Sequence, residues 1–224
     1  VTNTSSRPRA AVADGLGRMG IPVAAGDLLT PAVAAAARLE ARDAGPVALF
    51  VPPATRTEFD RLPWLADDAE SGAAAVVVGD LGTGWDFATL NRAFRLLMAE
   101  PRPELVALGM TRYREAGDGL RLDAGAFVSA LAHAAGADPV VLGKPARGFF
   151  EQALARLGTA PAGTAMIGDD VVGDVGGARD AGLAGVLVRT GKFRPGDLDR
   201  GIEPDAVLDS IADLPTWWAG AAGD

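Results

Sequence analysis

Short, continuous apolar runs alternate with segments of helical periodicity along most of the chain. Runs of this kind, without polar alternation, are typical of parallel strands that are covered on both faces. The strands predicted in this way cover 47–51, 73–78, 105–110, 139–143, 164–168 and 185–188. The helices predicted between them cover 32–42, 87–100, 125–136, 149–157 and 174–181. The pattern predicts an α/β fold.

Two further features divide this pattern. Residues 111–123 are expected to form a hairpin, because Gly117-Asp118-Gly119 is a typical turn sequence. The apolar runs then fall into two α/β units, one in the middle of the chain and one formed by its two ends together.

Composition excludes several classes of function. The 224 residues carry 21 basic and 29 acidic side chains, a net charge of −8, which argues against a nucleic-acid binder or an anionic-membrane binder. There is no cysteine, and His133, the one histidine, lies in a predicted helix, where a surface residue or one with satisfied hydrogen bonds is expected rather than a catalytic one. Cysteine and Ser-His-Asp catalysis are therefore excluded. No signal peptide or membrane-spanning run is evident, so a cytoplasmic location is expected.

Three carboxylates stand close together after the predicted strand 164–168, at Asp169, Asp170 and Asp174. Like charges at this spacing repel one another, and a bound cation is one way to keep them ionised. Carboxylates suit Mg²⁺, which typically takes one or two of them and completes its shell with water and phosphate. The alternative is structural: Asp170 would cap the following helix and Asp174 would complement its dipole.

Other polar residues follow predicted strands in the same way. Lys144 follows the strand 139–143, and Thr2 and Asn3 would follow a strand that ends at Val1. Ligands of open parallel sheets lie at the carboxyl ends of the strands. A hydroxyl, an amide, a lysine and a metal carboxylate together complement a phosphoryl group with Mg²⁺.

These residues resemble three motifs of the haloacid-dehalogenase-like (HAD) hydrolases, in the same order. The matching stretches are Thr2-Asn3, Gly143-Lys144-Pro145 and 168–174. A long insertion between the first two resembles the capped subfamily IIA, and 188–195 resembles its phospholysine, phosphohistidine and pyrophosphate phosphatase branch.

The resemblance implies a role for each matching residue. Thr2 and Asn3 would bind the phosphoryl group, and Lys144 would neutralise phosphate and nucleophile charge. Asp169 would bind Mg²⁺, while Asp174 would hold either Lys144 or a metal-bound water. The implied substrate is a small phosphorylated molecule: a phosphoric monoester, a pyrophosphate or a phosphoramidate.

The resemblance also implies a fold. A Rossmann-like parallel core would comprise residues 1–28 and 119–224, and an inserted α/β cap would comprise residues 29–118. Asp80, Arg112 and Tyr113 are candidates for cap contacts with substrate, although an ordinary turn and hairpin explain them equally well. The resemblance is compatible with a homodimer formed through the caps, and the sequence does not decide the oligomeric state.

The family's first motif, Asp-x-Asp-Gly-Thr at the end of the first core strand, does not occur in the chain. Its first Asp is the nucleophile that forms an aspartyl-phosphate. The chain is therefore expected to be an N-terminally truncated, inactive form that lacks the first core strand. One alternative is a nucleophile-less module that binds phosphate without turnover. A receiver-like domain also uses paired Asp, Mg²⁺ and Lys, but the order of the motifs disfavours it.

Overall fold

The computed structural model describes residues 1–221 and divides into two units, residues 1–143 and residues from 144 onward. The helices of the first unit are α1 Arg9–Arg18, α2 Pro31–Ala41, α3 Phe87–Met98 and α4 Ala124–Ala135. Its strands are β1 Val47–Phe50, β2 Ala75–Val78, β3 Glu104–Ala107, β4 Tyr113–Ala116, β5 Gly119–Leu122 and β6 Val140–Val141. The alternation expected from the apolar pattern is confirmed throughout this unit.

The first unit is built on a four-stranded parallel sheet in the order β1-β2-β3-β6. Every residue of β1 and β2 is buried, as expected for a sheet covered on both faces. The amphipathic helix α3 packs Leu96 and Leu97 into the core beside the sheet. This burial of apolar side chains is the main force that holds the unit together.

The helices of the first unit begin where side chains can satisfy free backbone amides. Thr30 Oγ1 accepts the Val33 amide at 3.3 Å, and Pro31 occupies the first turn of α2. Asp86 Oδ1 accepts the Thr89 amide at 2.7 Å and begins α3 in the same way. Such caps stabilise a helix start by about 1 kcal/mol.

The boundary between the units differs from the predicted core and cap segments. The hairpin β4–β5 crosses residue 118 as one antiparallel element, with Tyr113 opposite Leu122. Strand β6 then pairs with β3 and so belongs to the first sheet. Strand pairing therefore extends this unit to Gly143, and the division into core and cap stays a prediction.

The second unit contains a three-stranded parallel sheet in the order β7-β8-β9. The strands are β7 Ala165–Gly168, β8 Ala184–Val188 and β9 Ala206–Leu208, and the helices are α5 Arg147–Leu157, α6 Gly177–Asp180 and α7 Leu214–Ala221. One apolar cluster contains Phe150, Leu154 and Leu183, and a second contains Val171, Val175 and Leu187. The α/β class is confirmed in both units.

One helix differs from its predicted bounds. A helix from Asp174 to Ala181 was expected, but α6 covers only four residues, and a π-helical segment, Val171–Gly176, precedes it. Its wider turn is marked by the Val175 amide, which donates to Asp170 O at 3.3 Å. Such segments are frequent at functional sites.

None of the helices found in residues 1–221 is both long enough and apolar enough to cross a lipid bilayer.

Candidate functional site

The acidic stretch lies where β7 ends and the π-helical segment begins. Gly168 is the last residue of β7, and Asp169 and Asp170 follow it directly. A Cβ at Gly168 would overlap the carboxylate of Asp174, so a glycine is needed here for that side chain to fold back against the strand end. The local sequence thus brings three carboxylates to one strand end.

Asp170 caps the π-helical segment, as the structural alternative predicted. Its Oδ1 accepts the Gly173 amide at 2.8 Å and the Val172 amide at 3.2 Å. Burial by itself raises the pKa of Asp170, but the Gly173 amide and the Lys192 ammonium together hold that pKa below its ordinary value. The carboxylate therefore stays ionised, with Oδ1 turned towards the backbone amides and Oδ2 towards the Lys192 ammonium.

Lys144 and Asp174 form a largely buried ion pair. The Lys144 ammonium donates to Asp174 Oδ1, and the two side chains are only 13% and 4% exposed. Asp174 Oδ2 accepts the Asp170 amide at 3.2 Å, so each oxygen of Asp174 faces a donor of the protein. A charge buried this deeply is costly unless it is paired, so the pair fixes the position of the Lys144 ammonium.

Asp169 is held differently. Its Oδ2 accepts the backbone amide of Lys192 at 2.7 Å, and the side chain is half-buried. A carboxylate can accept about four hydrogen bonds in all. This contact therefore leaves acceptor capacity on Asp169 for a ligand.

The donor set fits a hard cation that needs few protein ligands. Mg²⁺ usually takes one or two carboxylates and keeps several waters, and Asp169 supplies one carboxylate at a strand end. Asp174, the other predicted metal residue, has both oxygens engaged by Lys144 and Asp170. No three acidic or histidine side chains within residues 1–221 are grouped so that they could hold a metal ion. The arrangement suits Mg²⁺ shared with water and phosphate rather than a cage made of protein alone.

The predicted phosphate residues of the first unit lie in an irregular segment at its start. The Thr2 amide donates to Leu29 O at 3.1 Å. Thr2 Oγ1 lies 3.0 Å from Thr4 Oγ1. Asn3 Oδ1 lies close to Gly143, since a Cβ built on that glycine would be 3.3 Å away.

The strands that precede Lys144 and Asp169 belong to different sheets. The strand before Lys144 pairs with β3 in the first sheet, whereas Asp169 follows β7 in the second sheet. The apolar pattern identified the strands, but pairing between distant strands decides which sheet each one joins.

The predicted cap residues Asp80, Arg112 and Tyr113 lie around the hairpin. Arg112 Cζ lies 5.9 Å from the centroid of the Tyr113 ring, and both side chains are exposed. Asp80 is buried, and its Oδ2 lies 3.6 Å from Arg114 Nε. The sequence pattern did not indicate a role for Arg114. Burial raises the pKa of the neighbouring Asp123, and the charge of Asp80 adds to this shift. Asp80 is thus part of a compact charged group.

Sequence reasoning assigned no role to the residues that follow β8. Gly191 and Lys192 contact Asp169, and the Lys192 ammonium lies 3.5 Å from Asp170 Oδ2. The available signal was the family resemblance of residues 188–195, which did not indicate a contact. Gly191 and Lys192 are more than 20 positions from Asp169 in the sequence, so no local pattern can predict this contact.

Comparisons with known proteins agree with this geometry. A family model described as "HAD-hyrolase-like" matches residues 141–214. Phospholysine phosphohistidine inorganic pyrophosphate phosphatase of Rattus norvegicus is 38% identical over 213 residues, which is 95% of this chain and 76% of the relative. Haloacid dehalogenase-like hydrolase domain-containing protein 2 of Bos taurus is 36% identical over 93% of this chain and 76% of its own length.

A solved structure supports the same assignment. The p-nitrophenyl phosphatase from Archaeoglobus fulgidus matches with a TM-score of 0.85 and 28% identity, over 96% of this chain and 84% of that one. Both the identity to curated relatives and the shared fold cover nearly the whole chain. The chain therefore belongs to the HAD-like hydrolase family and is, by resemblance, a phosphohydrolase.

Proposed function

We propose that this protein is a Mg²⁺-dependent phosphatase of small phosphorylated molecules that works through an aspartyl-phosphate. The observation that carries the proposal is the buried Lys144–Asp174 pair beside Asp169 at the end of β7. A fixed ammonium and a carboxylate with free acceptor capacity are the groups that a phosphoryl site requires.

The proposed roles follow the positions of the side chains. Lys144 neutralises charge on the phosphate, and Asp174 acts as the positioning residue of Lys144 rather than as a metal ligand. Asp169 is the residue of this chain that would hold Mg²⁺, and the ion would supply charge neutralisation at the phosphate. Thr2 and Asn3 are proposed to hydrogen-bond the phosphoryl oxygens.

The nucleophile is the feature that residues 1–224 do not provide in the family's form, because Asp-x-Asp-Gly-Thr does not occur in them. We therefore propose that this stretch, assayed alone, does not turn over phosphoesters. The alternative function is that of a module that binds phosphate and Mg²⁺ without any chemistry.

A hydrolysis assay tests this proposal. The 224-residue chain is incubated with p-nitrophenyl phosphate and Mg²⁺, beside Lys144→Ala and Asp169→Asn variants. The expected result is the same background rate for all three proteins. Mg²⁺-dependent turnover that is lost in both variants would contradict the proposed inactivity and would require a nucleophile among these residues.

Reading the DNA upstream of the Val1 codon distinguishes the two proposed functions, the phosphatase and the binding module. An in-frame extension that encodes an apolar strand and Asp-x-Asp-Gly-Thr would support the phosphatase, and the extended protein should then hydrolyse p-nitrophenyl phosphate. An in-frame stop without the motif would support the module. Retained phosphate binding by the chain would then be measured by calorimetry.

The choice among phosphoric monoesters, pyrophosphate and phosphoramidates belongs to the same proposal. The Rattus norvegicus relative is named for phospholysine, phosphohistidine and pyrophosphate, and the solved relative from Archaeoglobus fulgidus for p-nitrophenyl phosphate. Asp80, Arg112 and Tyr113 stay predicted cap contacts for this choice. The cytoplasmic location and the homodimer likewise stay predictions.

A further inference from the structure

The loop that follows β8, residues 189–195, reaches the metal carboxylate proposed above through its backbone. The Lys192 amide donates to Asp169 Oδ2 at 2.7 Å, which is short for a bond from a backbone amide. The Lys192 side chain, in contrast, is 76% exposed and lies 3.5 Å from Asp170 Oδ2. The contact with Asp169 therefore depends on the course of the backbone rather than on the lysine side chain.

The loop is fixed on both sides of this contact. Arg194 Nη1 donates to three successive carbonyls, those of Gly191 at 3.3 Å, Lys192 at 3.2 Å and Phe193 at 2.7 Å. The Arg194 amide donates to the buried Asp197 carboxylate at 2.7 Å. Phe193 packs against the apolar cluster of Val171, Val175 and Leu187. A loop tied in this way presents its amide in one orientation.

Gly191 explains how the loop can approach so closely. Its φ is +59°, in the left-handed region that favours glycine, and a Cβ there would overlap Asp169 Oδ2. Two separate constraints, conformation and space, thus require glycine at this position. The close approach is specific to the carboxylate, because Asp169 supplies all three of the atoms nearest to that Cβ.

We propose that the Gly191–Lys192 peptide is the positioning element of Asp169. By holding Oδ2, it fixes the carboxylate so that its remaining acceptor capacity is presented to the divalent cation. The inference rests on the proposed function, because it assigns a residue pair to the support of the metal carboxylate. It makes an unusual prediction for a lysine beside a phosphoryl site: its amide is required and its ammonium is dispensable for metal binding.

The experiment uses Mn²⁺ as a paramagnetic substitute for Mg²⁺, since both prefer oxygen ligands. Mn²⁺ is titrated into the full ¹⁵N-labelled chain, and the broadening of the amide signals of residues 168–174 gives the dissociation constant. Gly191→Ala should weaken binding about tenfold or more, the range typical for groups that orient a metal ligand. Lys192→Met keeps the amide and should stay within about twofold of the native chain.

A matched glycine isolates the cause. Gly201 also has a positive φ, +74°, but a Cβ there has no atom within 4 Å. Gly201→Ala therefore carries the same kind of backbone strain without touching Asp169, and should bind Mn²⁺ as the native chain does. Equal weakening by Gly191→Ala and Gly201→Ala would overturn the proposal, as would a Gly191→Ala variant with native affinity.

A second variant covers the case in which Gly191→Ala does not fold, as judged by its thermal transition. Arg194→Ala removes the three carbonyl contacts without adding bulk, and should weaken Mn²⁺ binding severalfold while the fold persists. Native affinity in Arg194→Ala would overturn the positioning role. No broadening near Asp169 in the native chain would instead overturn the proposed metal site itself, and the inference would fall with it.

Discussion

Strands β1 and β2 of the first sheet and the end of strand β7 in the second sheet are held by different interactions. Every residue of β1 and β2 in the first unit is buried and apolar, whereas no residue of β7 in the second unit is fully buried. Strand β7 pairs with β8 in parallel. The charged residues that follow β7 are instead held by hydrogen bonds and ion pairs.

This difference determines which substitutions each region should tolerate. An apolar core accepts exchanges that keep total volume, because the force that holds it is not directional. A network such as Lys144, Asp174 and Asp170 depends on charge and geometry. Removal of one member leaves another buried polar group without its partner, so the free-energy cost of its burial is no longer offset. The buried strands of the first sheet are thus constrained by volume, and the residues that follow β7 by specific partners.

The largest expected effect breaks the network of the second unit. Lys144→Met should lower the free energy of unfolding by about 3–5 kcal/mol, because it leaves the Asp174 carboxylate buried without its ammonium. Urea unfolding followed by circular dichroism measures the loss. The matched control is the double variant Lys144→Met/Asp174→Asn, which removes both charges and should recover most of the lost free energy of unfolding. A loss below about 1 kcal/mol in the single variant would contradict the comparison.

A deletion in the first core should cost somewhat less. Leu96→Ala removes a fully buried side chain of α3, and should lower the free energy of unfolding by about 2–5 kcal/mol. Leu122→Ala, on the exposed hairpin, is the control and should change it by less than about 0.5 kcal/mol. Equal losses of unfolding free energy in the two variants would show that burial in the core between α3 and the first sheet is not what stabilises this unit.

The smallest expected effect compares two helix caps. Thr30→Ala and Asp170→Ala should each cost about 1 kcal/mol at pH 7, because each removes a side-chain acceptor of backbone amides. Only the Asp170 cap should depend on pH. Its native pKa is depressed, so its contribution is complete above the unfolded value of about 3.9 and is lost as the pH falls through the native pKa.

Thermal unfolding between pH 2 and pH 7 measures this difference. The difference in unfolding temperature between the native chain and Asp170→Ala should disappear at the acidic end of this range. The difference between the native chain and Thr30→Ala should stay constant. A pH-independent gap for Asp170→Ala would mean that its carboxylate is not the acceptor that caps the segment.

The sequence predicted most elements of the fold because the signals are local. The capping residue Asp170 and the apolar strands 47–51 and 73–78 can each be identified within a few positions. The helix expected from Asp174 to Ala181 was wrong because Asp170 accepts the Asp174 and Val175 amides and widens the first turn. Cap geometry of this kind depends on the backbone path, which composition does not reveal.

The sequence by itself determined the α/β class, the acidic strand end at 168–170 and the family. Only the tertiary structure decided that β6 joins the first sheet, that Lys144 pairs with Asp174 and that Lys192 holds Asp169. The physical reason is the range of each signal. Hydrophobic periodicity repeats every two to four residues, whereas the two contacts with Lys144 and Lys192 span 30 and 23 positions. Contacts at such separations exist only once the chain has folded.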